Sequence, residues 1–374
     1  MKIGIDAYSI TDHRGGIANV AYNLIINLAK IDQTNEYFIF IRPQYRYLFD
    51  LPDNFHIKLV KHPHIIVWDQ FFLPIAALRY KLDILHVPGF AAPFFSNTNV
   101  ILTLHDVTFK LFANTMPPKA RYFWNFVVVF SARRANLVLT DSKNSRNDII
   151  NLLKIPPEKV VTVYCGIDSR FKLIKERAVL ERVRYKYKLP DHFILSVGVL
   201  EPRKNIDLLV QSYLKAARMC HQKIYLVVVG EIRWKSYQIA KLIVQGRIPG
   251  IIYLGHVPDE DLPAIYNLAD VFVYTSKYEG FGLPLLEAMA CGTPVISVNN
   301  SSLPEVVGNG GILVSEDSDR IAGKIAYVIA NPEAQTKLRL KGLTQASRFS
   351  WKKYAQQVLD IYSRLVSMKK VLSL

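Results

Sequence analysis

Thirteen short apolar runs, separated by stretches with helical spacing, constrain this chain more than any other feature. In the first half they are KIGIDA, YFIFIR, HIKLV, DILHV, VILTLHD, NLVLTDS and VVTVYCG. In the second half they are FILSVGV, IYLVVVG, IIYLGH, DVFVYTS, PVISVN and GILVS. Runs this short, rich in β-branched and aromatic residues, read as strands buried on both faces. Between them, sets such as Ile17, Val20, Ala21, Leu24, Ile25 and Leu28 fall on one face of a helix. Strands alternating with helices build parallel sheets covered on both sides, the α/β class. The charged segment 168–189, DSRFKLIKERAVLERVRYKYKL, has no strand signal and divides the runs into two series. The expected organisation is therefore two doubly wound units, 1–168 and 169–350. A last helix follows in 351–374, with an apolar stripe of Tyr354, Val358, Ile361 and Leu365. Ligands of such sheets bind at the carboxyl ends of the strands.

Half of the 374 residues are hydrophobic, enough for a sizeable core, which excludes a disordered chain. The net charge of +16 admits nucleic acid, anionic lipid or a phosphorylated substrate as partner. The basic residues are dispersed, with no clustered basic recognition element, so nucleic acid is the weaker reading. Three scattered cysteines, Cys165, Cys220 and Cys291, point to a reducing compartment without structural disulfides. No run approaches the ~20 apolar residues of a membrane span, and the N-terminus enters a strand pattern directly, so a cytoplasmic location is expected. The stretch 121–134, RYFWNFVVVFSARR, is aromatic and flanked by cations. It reads first as a core helix of the first unit. The other reading places it on an anionic membrane surface or against a lipid-linked acceptor.

The segment 278–296, YEGFGLPLLEAMACGTPVI, carries two carboxylates eight residues apart, Glu279 and Glu287. Pro284 fits the first turn of a helix and Gly292 the residue past its end. Glu279 then lies in a glycine-rich loop after a strand, and Glu287 in the early helix. The start of that helix suits an anion, whereas ionised carboxylates only accept hydrogen bonds and so suit hydroxyls. A ligand bearing both phosphate and hydroxyl groups satisfies this pairing. The plainer alternative is a solvated helix entry. Two acidic triplets, beginning at Asp259 and Asp317, precede helices, where Asp serves as a cap, so no metal site is expected. Gly15 and Gly16 precede the first helix, where glycine allows close approach of a phosphate or merely a turn.

The blocks EGFGLPLLE, VGVLEPRKNIDLLV, YLGHVPDEDLPAIYNLADVFVYTS, TLHDVTF and VLTDSKNSRNDI occur in an order that resembles the retaining glycosyltransferases of family four. The resemblance covers almost the whole chain and looks closest to bacterial members that build polysaccharides, many of which use GDP-mannose. It implies a GT-B fold: two facing Rossmann-like domains with a deep cleft, and a final helix crossing back to the first. The second domain would bind a nucleotide sugar, and the first a glycan or polyprenyl-linked acceptor. By this resemblance Glu287 accepts from the ribose hydroxyls and Glu279 from those of the transferred sugar. The backbone N–H groups of Phe281, Gly282 and Leu283 face the sugar and diphosphate, with Gly15 and Gly16 also on the donor. Arg203 and Lys204 stabilise the leaving diphosphate as fixed cations. One departure is Val199, where many relatives carry a further Arg, which shifts more of the load to Arg203 and Lys204. His105, at the end of VILTLHD, contacts the transferred sugar, while His86 reads as structural. The implied function is retaining transfer of a hexose, with mannose the named candidate, without metal or cofactor. A sugar-nucleotide epimerase of the same fold and a non-catalytic glycan- or lipid-binding scaffold are the alternatives.

Overall fold

A computed structural model describes residues 1–12, 16–61, 64–113, 118–232 and 238–372. All thirteen apolar runs form strands, in sequence order. The chain divides into two compact units, Met1–Gly166 with Ser350–Leu374, and Ile167–Phe349.

In the first unit seven parallel strands have the order β3-β2-β1-β4-β5-β6-β7. They are β1 (Lys2–Asp6), β2 (Glu36–Ile41), β3 (Phe55–Leu59), β4 (Ile84–Val87), β5 (Asn99–Thr103), β6 (Leu137–Thr140) and β7 (Val160–Thr162). In the second unit six parallel strands have the order β10-β9-β8-β11-β12-β13. They are β8 (Phe193–Val197), β9 (Tyr225–Val229), β10 (Ile251–Gly255), β11 (Val271–Tyr274), β12 (Val295–Val298) and β13 (Ile312–Val314). Each order reverses direction once, between β1 and β4 and between β8 and β11. At such a reversal the flanking connections leave to opposite faces and open a crevice at the carboxyl ends of the strands. Both sheets are buried on both faces by helices, which is why their strands read as continuous apolar runs rather than alternating ones. Ile3, Ile5, Ile84, Leu85, Ile101 and Leu102 are fully enclosed in the first unit, as are Ile194, Leu195, Leu226 and Phe272 in the second.

The Gly16–Ile31 helix buries Val20, Ala21, Leu24, Ile25 and Leu28, the face anticipated from their spacing. The Trp351–Leu372 helix belongs to the first unit and packs against the Gly16–Ile31 helix. It buries Trp351, Tyr354, Ala355, Val358 and Tyr362. Ile361 and Leu365, expected on its apolar stripe, are only half-buried, and Tyr362 takes the inner position instead. Its hydroxyl lies 2.5 Å from His86 Nδ1, and His86 Nε2 lies 2.7 Å from Thr103 Oγ1. Burial, then His105, lowers the His86 pKa to about 3, so it is a neutral pin between β4, β5 and the last helix.

The stretch 121–134 is amphipathic rather than a core helix. Val128, Ser131 and Ala132 are buried, while Tyr122, Phe126 and Phe130 are exposed. The Asp317 side chain accepts from the N–H groups of Asp319 and Arg320, the expected cap. The other triplet departs from expectation. Asp261 precedes the Leu262–Leu268 helix but makes no side-chain cap. It accepts instead from Lys186 Nζ at 2.5 Å and Tyr187 Oη at 2.8 Å, and Asp259 pairs with Arg170 at 2.6 Å. Nearby cations outcompete the helix N–H groups for these carboxylates, since charge-assisted bonds are the stronger ones.

Candidate active site

The reversal between β8 and β11 gathers the cations and the first glutamate. After β8 the chain passes Gly198, whose φ of +151° favours glycine, and reaches a short turn over Pro202–Lys204. After β11 it runs through Thr275 and Ser276 to Glu279. The two loops are laced together. Lys277 N donates to Arg203 O at 2.8 Å, and Thr275 Oγ1 donates to Lys204 O at 3.0 Å.

Within this frame Glu279 is buried. Its Oε1 accepts from Lys204 Nζ at 2.6 Å and from Tyr274 Oη at 2.9 Å. Its Oε2 lies 2.9 Å from Arg203 Nη1. Arg203 also donates through Nε and Nη2 to Glu201 Oε1, at 3.0 and 2.6 Å, and through Nη1 to Tyr278 O at 2.7 Å. Lys204 Nζ donates to Tyr274 Oη at 2.7 Å. Burial works to raise the Glu279 pKa, but the charges of Lys204 and Arg203 outweigh it and bring the carboxyl down to about 2. Burial likewise opposes the charged form of Lys204, and Glu279 more than restores it. The site is thus fully ionised at neutral pH, with one carboxylate between two cations.

The loop that carries Glu279 is held from behind. Ser301 Oγ accepts from Glu279 N at 3.1 Å, while Ser302 Oγ donates to the carbonyls of Glu279 and Phe281 at 2.9 and 2.8 Å. Gly282, at φ +108°, turns the chain into the Leu283–Ala290 helix, whose first turn contains Pro284. Phe281 is buried, its ring against Phe349 at 5.8 Å between centroids.

Glu287 sits in a second cluster, on the same helix. Its Oε2 accepts from Tyr266 Oη at 2.9 Å. Burial raises the Glu287 pKa to about 7, offset only in part by Tyr266 and Arg170. The clusters are joined by an aromatic row in which Phe272 packs on Tyr266 at 5.6 Å and on Tyr274 at 5.7 Å.

His105 lies in the first unit, two residues beyond the end of β5, not on the strand itself. Its Nδ1 is 2.7 Å from Asp141 Oδ2, and its buried Nε2 has no partner among the described residues. Burial disfavours the charged imidazole, yet Asp141, by charge and hydrogen bond, holds its pKa above the ordinary value. Gly16 is the first residue of its helix, with open space where a Cβ would stand. Gly15 lies outside the described residues.

Several of these positions gave no sequence signal. Tyr274, Tyr266, Phe272, Glu201, Ser301 and Ser302 carry no motif of their own in the sequence. A buried carboxyl pair was also missed at the other reversal. Asp6, at the end of β1, accepts from Trp68 Nε1 at 3.0 Å. Burial raises its pKa to about 6, and burial with the Asp6 charge raises that of Asp69 to about 9. Among the described residues, no group of His, Cys, Asp and Glu is arranged to hold a metal ion.

Two parallel-sheet Rossmann-like units with a helical C-terminus are the GT-B fold of sugar-transferring enzymes, and the chain belongs to the glycosyltransferases. Residues 14–171 match the model for Glycosyltransferase Family 4, and residues 181–345 that for Glycosyl transferases group 1. O-antigen chain mannosyltransferase B of Escherichia coli is 35% identical over 308 residues, 81% of this chain and 78% of that protein. Serotype-specific mannosyltransferase WbdA of Escherichia coli is 30% identical over 68% of this chain, which spans only 32% of that protein. In fold the chain is similar to Anabaena Alr3699/HepE, solved with UDP and glucose (TM-score 0.75, 18% identity, 97% of this chain and 100% of that one). It is equally similar to sucrose-phosphate synthase of Thermosynechococcus elongatus (TM-score 0.76, 19% identity, 98% and 99% covered).

Proposed function

We propose that this protein transfers a hexose, mannose from GDP-mannose, with retention of configuration onto a glycan or polyprenyl-linked glycan during polysaccharide assembly. The observation that carries the reading is the buried Arg203–Glu279–Lys204 arrangement beside the start of the Leu283–Ala290 helix. The choice of mannose follows from the similarity to two Escherichia coli mannosyltransferases. Breaking the bond between sugar C1 and the phosphate oxygen places a growing negative charge on the diphosphate. Fixed cations stabilise that charge without a solvent reorganisation cost. Arg203 and Lys204 supply the cations, and the N–H groups of Phe281, Gly282 and Leu283 face the diphosphate and sugar. Glu279 orients the cations and accepts from sugar hydroxyls, and Glu287 accepts from the ribose. In a front-face displacement the acceptor oxygen bonds to C1 on the face the phosphate leaves. The acceptor proton passes to the departing phosphate oxygen. His105, held by Asp141, contacts the transferred sugar, and Gly15 and Gly16 approach the donor phosphates.

Metal independence belongs to the same reading, because two protein cations stand where a divalent ion would otherwise be needed. No cofactor is required, since the nucleotide sugar brings its own leaving group. The assay is release of GDP from GDP-mannose, with and without an oligomannoside, in the presence and absence of EDTA. Acceptor-stimulated release that survives EDTA, with an α-linked product, is expected. Loss on chelation that magnesium or manganese restores would refute the charge argument. Isomerisation of the donor without acceptor would instead favour an epimerase, and binding without turnover a scaffold.

Peripheral contact with an anionic membrane surface completes the reading. Among the described residues no helix is long and apolar enough to cross a membrane. Two amphipathic segments of the first unit expose large apolar side chains. Ile65–Val67 through Leu73–Arg79 presents Phe71, Phe72, Ile75 and Leu78, and the segment ending at Arg134 presents Tyr122, Phe126 and Phe130. Both contain a π-helical turn, Trp68–Phe72 and Trp124–Val128. The intervening loop joins them. Gln70 Nε2 donates to Ala92 O at 3.1 Å, Ser131 Oγ donates to the same carbonyl at 2.9 Å, and Phe94 packs on Phe130 at 4.7 Å. Residues 107–140 contain no Asp or Glu but carry Lys110, Arg121, Arg133 and Arg134. An apolar face flanked by these cations complements anionic headgroups.

A further inference from the structure

We infer that Tyr274 is a positioning residue for sugar transfer, its buried hydroxyl fixing the Lys204 ammonium against the Glu279 carboxylate. The inference rests on the reading that Lys204 and Glu279 serve a nucleotide sugar, and goes beyond it in assigning a role to a residue of the strand itself.

The geometry is a closed ring of three hydrogen bonds. Lys204 Nζ donates to Tyr274 Oη at 2.7 Å and to Glu279 Oε1 at 2.6 Å, and Tyr274 Oη donates to the same Oε1 at 2.9 Å. An ammonium has three N–H groups and free rotation about its last bond. One acceptor leaves the ammonium free to swing about that single hydrogen bond as its stem moves. Two acceptors fix all three directions. The third N–H then points along one line, and a fixed cation is what a developing phosphate charge requires. The lysine stem passes over Gly198, its Cε 3.5 Å from where a Cβ there would stand. The Lys204 ammonium also lies 5.0 Å from the Tyr274 ring centroid.

Tyr274 itself cannot shift. It ends β11, is 2% exposed, and stacks on Phe272. Burial and then Glu279 raise its pKa to about 12, so the hydroxyl keeps its proton and donates to Glu279 throughout the working range of an enzyme. Local propensity places an aromatic residue here equally well as phenylalanine. The hydroxyl serves the ring of three, not the strand.

The test compares wild type, Tyr274→Phe, Lys204→Met and the double variant. GDP release from GDP-mannose, GDP binding by titration, and thermal unfolding are measured for each. Tyr274→Phe should unfold close to wild type and bind GDP within about threefold of it. Turnover should fall about 10- to 100-fold, the range for a hydrogen bond to a charged group, with a nearly constant Michaelis constant. The double variant should be no slower than Lys204→Met alone, because the hydroxyl acts through the ammonium. Wild-type turnover in Tyr274→Phe, or losses that multiply in the double variant, would overturn the inference. So would a joint fall in melting temperature and GDP affinity, which would make Tyr274 a core residue only. If wild type turns over no nucleotide sugar, the underlying reading fails before any variant is compared.

Discussion

Glu279 and Glu287 belong to one short segment yet live in opposite electrostatic surroundings, and their titration should separate them. Glu279 has a folded pKa of about 2, below its ordinary 4.5, so the folded state binds fewer protons between these values. Stability from this group is present above pH ~4.5 and is lost as pH falls through about 2. Glu287 has a folded pKa of about 7, above 4.5, so its contribution is greatest below ~4.5 and is lost as pH rises through 7. If its ionised form receives the ribose hydroxyls, GDP affinity should rise with pH up to about 7. Glu287→Gln should abolish that dependence and weaken GDP binding by about one to two decades. Titrations of both proteins from pH 5 to 8 check this, and a parallel slope in the variant would remove Glu287 from the ribose. Arg203 has a double attachment, to Glu201 and to Glu279. Arg203→Ala should reduce turnover by about 10²–10³, by analogy with oxyanion stabilisation, and lower the melting temperature by leaving two carboxylates short of a partner. A raised Michaelis constant with unchanged turnover would make Arg203 a uniform binding contact.

Helices and strands differ in how far their roles could be anticipated. The strands were legible because burial on both faces leaves an unbroken apolar run. Their ends were less so: within the run VILTLHD the strand ends at Thr103, and His105, two residues on, turns its Nδ1 to Asp141. The 121–134 stretch was misjudged as core because apolar content alone does not reveal which face a helix buries. Its π-helical turn changes the phase of the side chains part-way along, so no single 3.6-residue period fits. The Ile65–Arg79 region gave no warning for the same reason. The surface the two share should bind phosphatidylglycerol vesicles. Replacing Phe71 and Phe126, 65% and 55% exposed, by Ser should weaken cosedimentation by about tenfold or more while leaving GDP binding intact. Equal binding to neutral vesicles would argue against charge complementarity, and no binding to either would remove this surface from the function.

The first unit is discontinuous in sequence, since Ser350–Leu374 returns to Met1–Gly166. A chain ending at Phe349 should therefore lose the fold of the first unit while the Ile167–Phe349 unit stays folded. Calorimetry should show one transition near its original temperature and the loss of another. Two unchanged transitions would make the last helix dispensable. The units divide after Gly166 and after Phe349, and the charged segment between the strand series and the start of the last helix are both local features of the sequence. The helical faces, the parallel class and the glycine turn after Glu279 were equally local, set by side-chain period and by backbone freedom within a few residues. The partners were not. Lys204 and Glu279 are separated by 75 residues and meet because β8 and β11 are neighbours at a reversal of strand order. His86 meets Tyr362 across 276 residues because the last helix packs back onto the first unit. Sequence pattern specifies which segments must be buried, whereas pairing depends on which strands lie side by side. That order is fixed by the packing of the whole sheet, so the contacts within the site became visible only once the chain was folded.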